Sequence, residues 1–266
     1  MGLNQPKSTE PRIYLNREID NGILTAYTGN NSFIILVSDI FICIYIIDDP
    51  NSLKKIILKE KRVSLAKMHP FYKTIFLTLC ENEIKIWKIS KSLKECKLKV
   101  KIKGHTKYIK GADFCRDKNK DKLLASYSDD NTIKIWNLDK AFCINNISTK
   151  ELAVKIELYS KYLYYCEERI NIILYDNENL KEIKKAHFEN MIIDFVVINE
   201  KEIILLYENS ILIYNFKDNT KQLKLSLNSS CRQIIYDNEL DIIYFLRIIY
   251  MLLIMIMIIK YFLVVK

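Results

Sequence analysis

At 266 residues, half of them hydrophobic, the chain can bury a sizeable core, which excludes bulk disorder. Five glycines are too few for a phosphate-cradling loop, and seven cysteines with no CxxC spacing exclude a zinc-ribbon framework; they read as small buried hydrophobes of a reducing compartment. The net charge of +9 comes from lysines spread along the whole chain, not from a clustered patch that would mark a nucleic-acid footprint.

Residues 1–19 open with "MGLNQPKSTEPR", which lacks the apolar run of a secretory leader, and they are expected to form a disordered extension. From residue 20 the chain is a series of short β-branched and aromatic runs bounded by Asn, Asp, Glu and Lys turns, the pattern of strands. "FIILV" and "SDIFICIY" come first and end at Tyr45, with "LKKIILK" after them. "RVSLAK", "TIFLTL" and "ENEIKIW" follow, ending at Trp87, then "KLKVKIK". "YIKGADF", "LLASY" and "DDNTIKIW" end at Trp136; "LAVKIEL", "YLYYC" and "ERINIILY" end at Tyr175. "MIIDFVV", "IILLY" and "ENSILIY" end at Tyr214, with "QLKLSL" beyond. The strand-ending aromatics stand 42, 49, 39 and 39 residues apart. Four short strands per unit of about 40 residues is the pattern of a propeller blade. The expected architecture is therefore an all-β propeller of five to six four-stranded blades over residues 20–246, with the last blade unfinished.

The third unit has the most detail. It carries Gly104-His105, Ser126, Asp130 and "TIKIW" ending in Trp136, 31 residues after His105. This resembles a WD40 repeat. The resemblance implies a hydrogen-bonded tetrad of His105, Ser126, Asp130 and Trp136, with Ser128 as an alternative hydroxyl. A buried indole N–H needs an acceptor and a buried imidazole needs its tautomer fixed, so such a network rigidifies a blade only when every member is satisfied. Asn137 stands where the family has its final Asp. The second unit keeps Trp87 but lacks the Gly-His, has Glu81 at the Asp position, and carries "Met68-His69-Pro70" in a turn, where His69 is expected at the surface. The other units end in Tyr45, Tyr175 and Tyr214, and His187 is a candidate degenerate tetrad histidine.

None of the three histidines has a partner at metal-ligand spacing, and the acidic pairs Asp48-Asp49, Asp129-Asp130 and Glu167-Glu168 fall at predicted turns. The chain is read as a non-enzyme without cofactor, metal or small-molecule substrate. Residues 247–266 break the repeat: Ile248–Ile259 is uncharged but shorter than the about 20 residues that span a bilayer. Three readings of this tail stay open: a membrane anchor, core strands of a sixth blade, or a mis-translated segment. The WD40 resemblance implies a scaffold that holds proteins or peptides on its rim within a larger intracellular assembly. The degenerate first unit is similar to the start of transducin-β-like WD40 proteins of the small-subunit processome. That implies ribosome biogenesis and a nucleolar location, with cytoplasm the alternative, and RNA met through Lys107, Lys110, Lys118 and Lys120. The competing function is a membrane-associated adaptor anchored by the tail.

Overall fold

The computed structural model describes residues 23–30, 33–38, 41–46, 54–60, 62–72, 74–90, 94–227, 230–237, 242–249 and 252–260. The expected extension over residues 1–19 and the last tail residues, 261–266, lie outside them. Among the described residues the chain forms six antiparallel sheets, each built from strands consecutive in sequence.

Blade 1 comprises β1 (Ile23–Asn30), β2 (Phe33–Ser38), β3 (Ile42–Ile46) and β4 (Lys54–Leu58). Blade 2 comprises β5 (Val63–Met68), β6 (Ile75–Cys80), β7 (Glu83–Ile89) and β8 (Cys96–Lys103). Blade 3 holds β9 (Ile109–Phe114), β10 (Leu123–Ser128), β11 (Thr132–Asn137) and β12 (Phe142–Ser148). Blade 4 holds β13 (Ala153–Tyr159), β14 (Tyr162–Glu167), β15 (Asn171–Asp176) and β16 (Lys181–His187). Blade 5 holds β17 (Asp194–Val197), β18 (Glu202–Leu206), β19 (Ser210–Asn215) and β20 (Thr220–Ser226). The sixth sheet has three strands, β21 (Gln233–Asp237), β22 (Ile242–Ile249) and β23 (Leu252–Lys260). Strand β22 thus runs across residue 246, and the described tail residues, 247–249 and 252–260, are extended chain paired within a sheet.

The sheets stack through their faces, and each apolar cluster is shared by two neighbouring blades. Leu77, Leu79, Ile84 and Ile86 of blade 2 meet Phe114, Leu124 and Trp136 of blade 3. In β14, Leu163 and Tyr165 point to the blade 3 side, whereas Tyr164 and Cys166 point to the blade 5 side. This explains unbroken apolar runs such as "IFLTLC" and "YLYYC": a strand buried on both faces has no solvated face to alternate with. The first strands lie innermost, β9 beside β13, β13 beside β17 and β17 beside β21. The fourth strands β8, β12 and β16 are mostly exposed and rich in lysine or asparagine. Turns that glycine would usually make fall to other residues, with Asn131, Glu168 and Arg169 at φ of 59°, 53° and 59°.

Candidate functional site

The turn between β10 and β11 aims Asp130 back at the segment preceding β9. His105 Nδ1 lies 2.9 Å from Asp130 Oδ2, His105 Nε2 lies 2.8 Å from Ser126 Oγ, and Trp136 Nε1 donates to the same Oγ at 2.8 Å. Asp130 also accepts from the backbone N–H of Thr106 and Thr132 at 2.9 and 3.0 Å and from the Thr132 hydroxyl at 2.6 Å. Ser126, not Ser128, supplies the hydroxyl; Ser128 Oγ accepts from the Asp130 N–H. Burial pushes the His105 imidazole below its ordinary pKa, outweighing the pull of Asp130. Burial opposes the charge on Asp130, yet bonds from Thr132, Thr106 and His105 hold it well below the usual carboxylate range. Gly104, at φ +154°, lies beneath the indole; an added Cβ there would stand 2.8 Å from Trp136 Cη2.

The remaining blades solve the same packing problem differently. Trp87 Nε1 donates to Thr78 Oγ1 at 2.9 Å, a buried pair in which Thr78 holds the register position of Ser126. Glu81 does not take the aspartate's inward role; it pairs with Arg62 at the surface. Tyr214 replaces Trp136 in blade 5, with its ring edge-on to Phe188 at 5.2 Å and its hydroxyl on Asn219. Tyr175 is half-buried, and the Tyr45 side chain lies outside the described residues.

Two histidine expectations are corrected. His69 is not at the surface: it is buried, its Nδ1 accepts from the N–H of Phe71 and Tyr72, and its ring lies 4.6 Å from Phe114. The turn N–H groups need an acceptor, and the imidazole supplies it while filling the gap between blades 2 and 3. His187 is exposed at the end of outer strand β16, where it meets Asn171 at 3.0 Å; the adjacent Phe188 fills the buried position. Five cysteines are buried and two half-buried, all as free thiols. Burial pushes the thiols of Cys96 and Cys166 up to about 12 and that of Cys115 to about 11, so these three are not ready nucleophiles. Among the described residues, no three His, Cys, Asp or Glu are placed to hold a metal ion.

The innermost strands carry a belt of charge that the sequence did not reveal. Lys67 of β5 pairs with Asp113 of β9 at 2.5 Å. Arg116, just past β9, pairs with Glu157 of β13 at 3.2 Å. Lys155 of β13 pairs with Asp194 of β17, and Asp194 Oδ2 accepts the Ile234 N–H of β21 at 2.9 Å. Glu157 also accepts the Val197 N–H at 2.7 Å. Burial opposes charge on Arg116, Lys155 and Glu157, but their neighbours win. Arg116 and Lys155 hold Glu157 below the usual carboxylate range, and Glu157 and Asp194 hold the two cations above theirs. Asp113 Oδ2 and Arg116 Nη1 are buried without a hydrogen-bond partner among the described residues.

Above this belt the loops joining first to second strands in blades 2 to 5 line an open cleft of about 730 Å³, with Phe71, Arg116, Lys118, Tyr159, Glu200 and Lys201 in its wall. At the other end of the inner strands, Tyr108, Leu152 and Met191 are 39%, 47% and 59% exposed. The four lysines considered for phosphate do not form one surface. Lys110 pairs with Asp129 at 3.2 Å, Lys120 pairs with Glu178, Lys118 is at the cleft, and Lys107 is exposed near His105.

Stacked four-stranded blades, innermost first strands and a His–Ser–Trp relay closed by a turn aspartate define a β-propeller. Its type follows from solved structures. The chain is similar to Saccharomyces cerevisiae Sqt1, at 13% identity and a TM-score of 0.67 over 84% of this chain and 67% of that one. It is also similar to the WD40 domain of Toxoplasma gondii coronin, at 15% identity and a TM-score of 0.65 over 85% of this chain and 64% of that one. The fold is that of a WD40-type β-propeller, as the sequence resemblance implied. The chain spans about two thirds of the length of each of these two structures. No family model matches the sequence.

Proposed function

We propose that the chain is an interaction scaffold that holds protein or peptide partners against a rigid propeller. The observation that carries this reading is the arc of Tyr108, Leu152 and Met191. Each stands five residues before the same inner-strand position, occupied by Asp113, Glu157 and Val196, in three consecutive blades. Scattered apolar residues on a surface mean little, but a repeated one at the same station on one face gathers exposed apolar area where a partner can cover it. The test is cross-linking of the tagged chain in cells, compared with a Tyr108→Ser, Leu152→Ser, Met191→Ser variant. The variant is expected to keep its melting temperature and lose partners cross-linked to that face. Retention of every partner overturns the reading.

Membership of a pre-ribosomal assembly, with a nucleolar location, is the finer form of this proposal. Support for it is the +9 charge and the resemblance of the first unit. Lys110 and Lys120 are already engaged by carboxylates, which leaves Lys107 and Lys118 for phosphate. Exclusion of a tagged chain from the nucleolus would overturn it. For the anchored-adaptor alternative, no helix among the described residues is long and apolar enough to cross a membrane.

A further inference from the structure

The outer rim of the propeller has one edge without a charge. Each of the six sheets ends in an outermost strand whose far side is unpaired among the described residues. Five of these strands carry lysine: β4 reads KKIIL, β8 CKLKVKIK, β16 KEIKKAH, β20 TKQLKLS and β23 LLIMIMIIK. Lysines on an edge keep a bare ladder from pairing with another chain. Strand β12 is the exception. It reads FCINNIS, and its Phe142 and Ile144 are 46% and 41% exposed.

The backbone at this edge is free to pair. Thr149 N–H donates to Asn131 C=O at 2.9 Å, which sets the phase of the β11–β12 ladder. By antiparallel alternation, Asn145 and Ile147 turn their N–H and C=O toward β11, while Asn146 and Ser148 turn theirs outward. Comparison with β8 shows what can meet them. Pairing β8 with its own copy about a two-fold axis sets lysine against lysine, because Lys97, Lys99, Lys101 and Lys103 alternate, and like charges directly opposite are destabilising. The same operation centred on Asn146 sets that residue against its copy, Asn145 against Ile147 and Ile144 against Ser148, with no like charges opposed. We propose that β12 is a self-association edge, at which a second copy of this chain pairs antiparallel across a two-fold axis and joins the two third blades into one eight-stranded sheet. This contact is separate from the partner face at Tyr108, Leu152 and Met191.

One ladder buries little area, so the dimer is expected to be weak. Lys134 donates to Asn146 Oδ1 at 2.8 Å, so each copy brings a cation beside the axis, and each chain carries a net +9. Salt screens that repulsion and is expected to tighten the dimer, the reverse of its effect on a contact between opposite charges.

Sedimentation velocity of the full chain over about 1 to 100 μM, a range suited to a weak interface, tests the proposal. Asn146→Pro removes the outward N–H and spares the bonds to β11, since proline is tolerated where an edge N–H faces solvent. Asn146→Lys keeps the N–H and sets a lysine against its copy; it is the deciding variant if the melting temperature shows that the proline variant does not fold. The expected result is a concentration-dependent dimer whose dissociation constant rises at least about tenfold in the folded variants, with salt relieving the lysine variant more than the proline one. A chain that is monomeric at every concentration overturns the proposal. So does a dimer that the deciding variant leaves unchanged, because the contact would then lie at another edge, and so does a dimer that salt dissolves.

Discussion

In blade 3 the relay can satisfy every member with a neutral imidazole. Trp136 N–H donates to Ser126, the Ser126 hydroxyl donates to His105 Nε2, and His105 Nδ1–H donates to Asp130. A proton added to His105 would make Nε2–H a second donor to Ser126 Oγ and force the serine hydrogen to turn away from its acceptor. That is the local reason why protonation is resisted, alongside burial. His69 is shifted in the same direction, with burial as the largest cause. The sign for stability follows. Above the unfolded histidine pKa of about 6.5 both states are neutral, and the contribution is fully present. As pH falls below that value the unfolded chain takes up protons that the folded histidines refuse, and stability declines. The urea midpoint is expected to drop between neutral and mildly acidic pH, and His69→Gln with His105→Gln should flatten the decline. A midpoint that rises on acidification would contradict this. Asp130 enters only at lower pH, where its own depressed titration begins to count.

At the scale of the blade, similar strand frameworks accept different interiors. Blade 3 uses four polar side chains, blade 2 a single Trp87–Thr78 bond, and blade 5 the edge-on contact of Phe188 and Tyr214. Thr78→Val keeps the shape but removes the acceptor from a buried indole N–H. The expected loss is about 1 to 3 kcal/mol in chemical denaturation, with Thr78→Ser retaining most of the stability. The blade period was legible because every blade ends a third strand in a large aromatic, whatever its polar content. The tetrad in blade 3 was legible because Gly104, His105, Asp130 and Trp136 are all present together. Thr78 was not, because one hydroxyl inside "IFLTLC" has no signature until the strand pairing places it opposite Lys85 and beneath Trp87. His69 was misread for a related reason: a histidine before proline in a turn looks exposed until the neighbouring blade's Phe114 covers it.

At the scale of the whole molecule, stability is shared between apolar layers that join adjacent blades and the charged belt at the axis. The belt was invisible in the sequence because Lys67, Asp113, Arg116, Glu157, Lys155 and Asp194 come from four separate units, and each alone reads as a solvated charge. Glu157 is its best-connected member, touching Arg116, Lys155 and the Val197 N–H. Glu157→Gln would strand the Arg116 guanidinium and leave Lys155 with Asp194 alone, at an expected cost of about 3 to 5 kcal/mol. Thermal unfolding of the variant measures this; an unchanged melting temperature would mean that water screens the belt.

The belt also has a direction. At each of three successive joints, the earlier blade presents the cation and the later one the anion: Lys67 to Asp113, Arg116 to Glu157, Lys155 to Asp194. Blades 3 and 4 each carry both halves of this code, blade 2 only the leading half, and blade 5 only the trailing half. By these pairs alone, blade 3 could be duplicated or lost with every charge still matched, because Asp113 and Glu157 hold the same station; blade 4 could not, because Asp194, the partner of Lys155, stands two residues before that station. Removing blade 2 or blade 5 would instead leave an unmatched ion at the axis. The belt therefore runs head to tail from blade 2 to blade 5, with blades 3 and 4 as its relays and blades 2 and 5 as its ends.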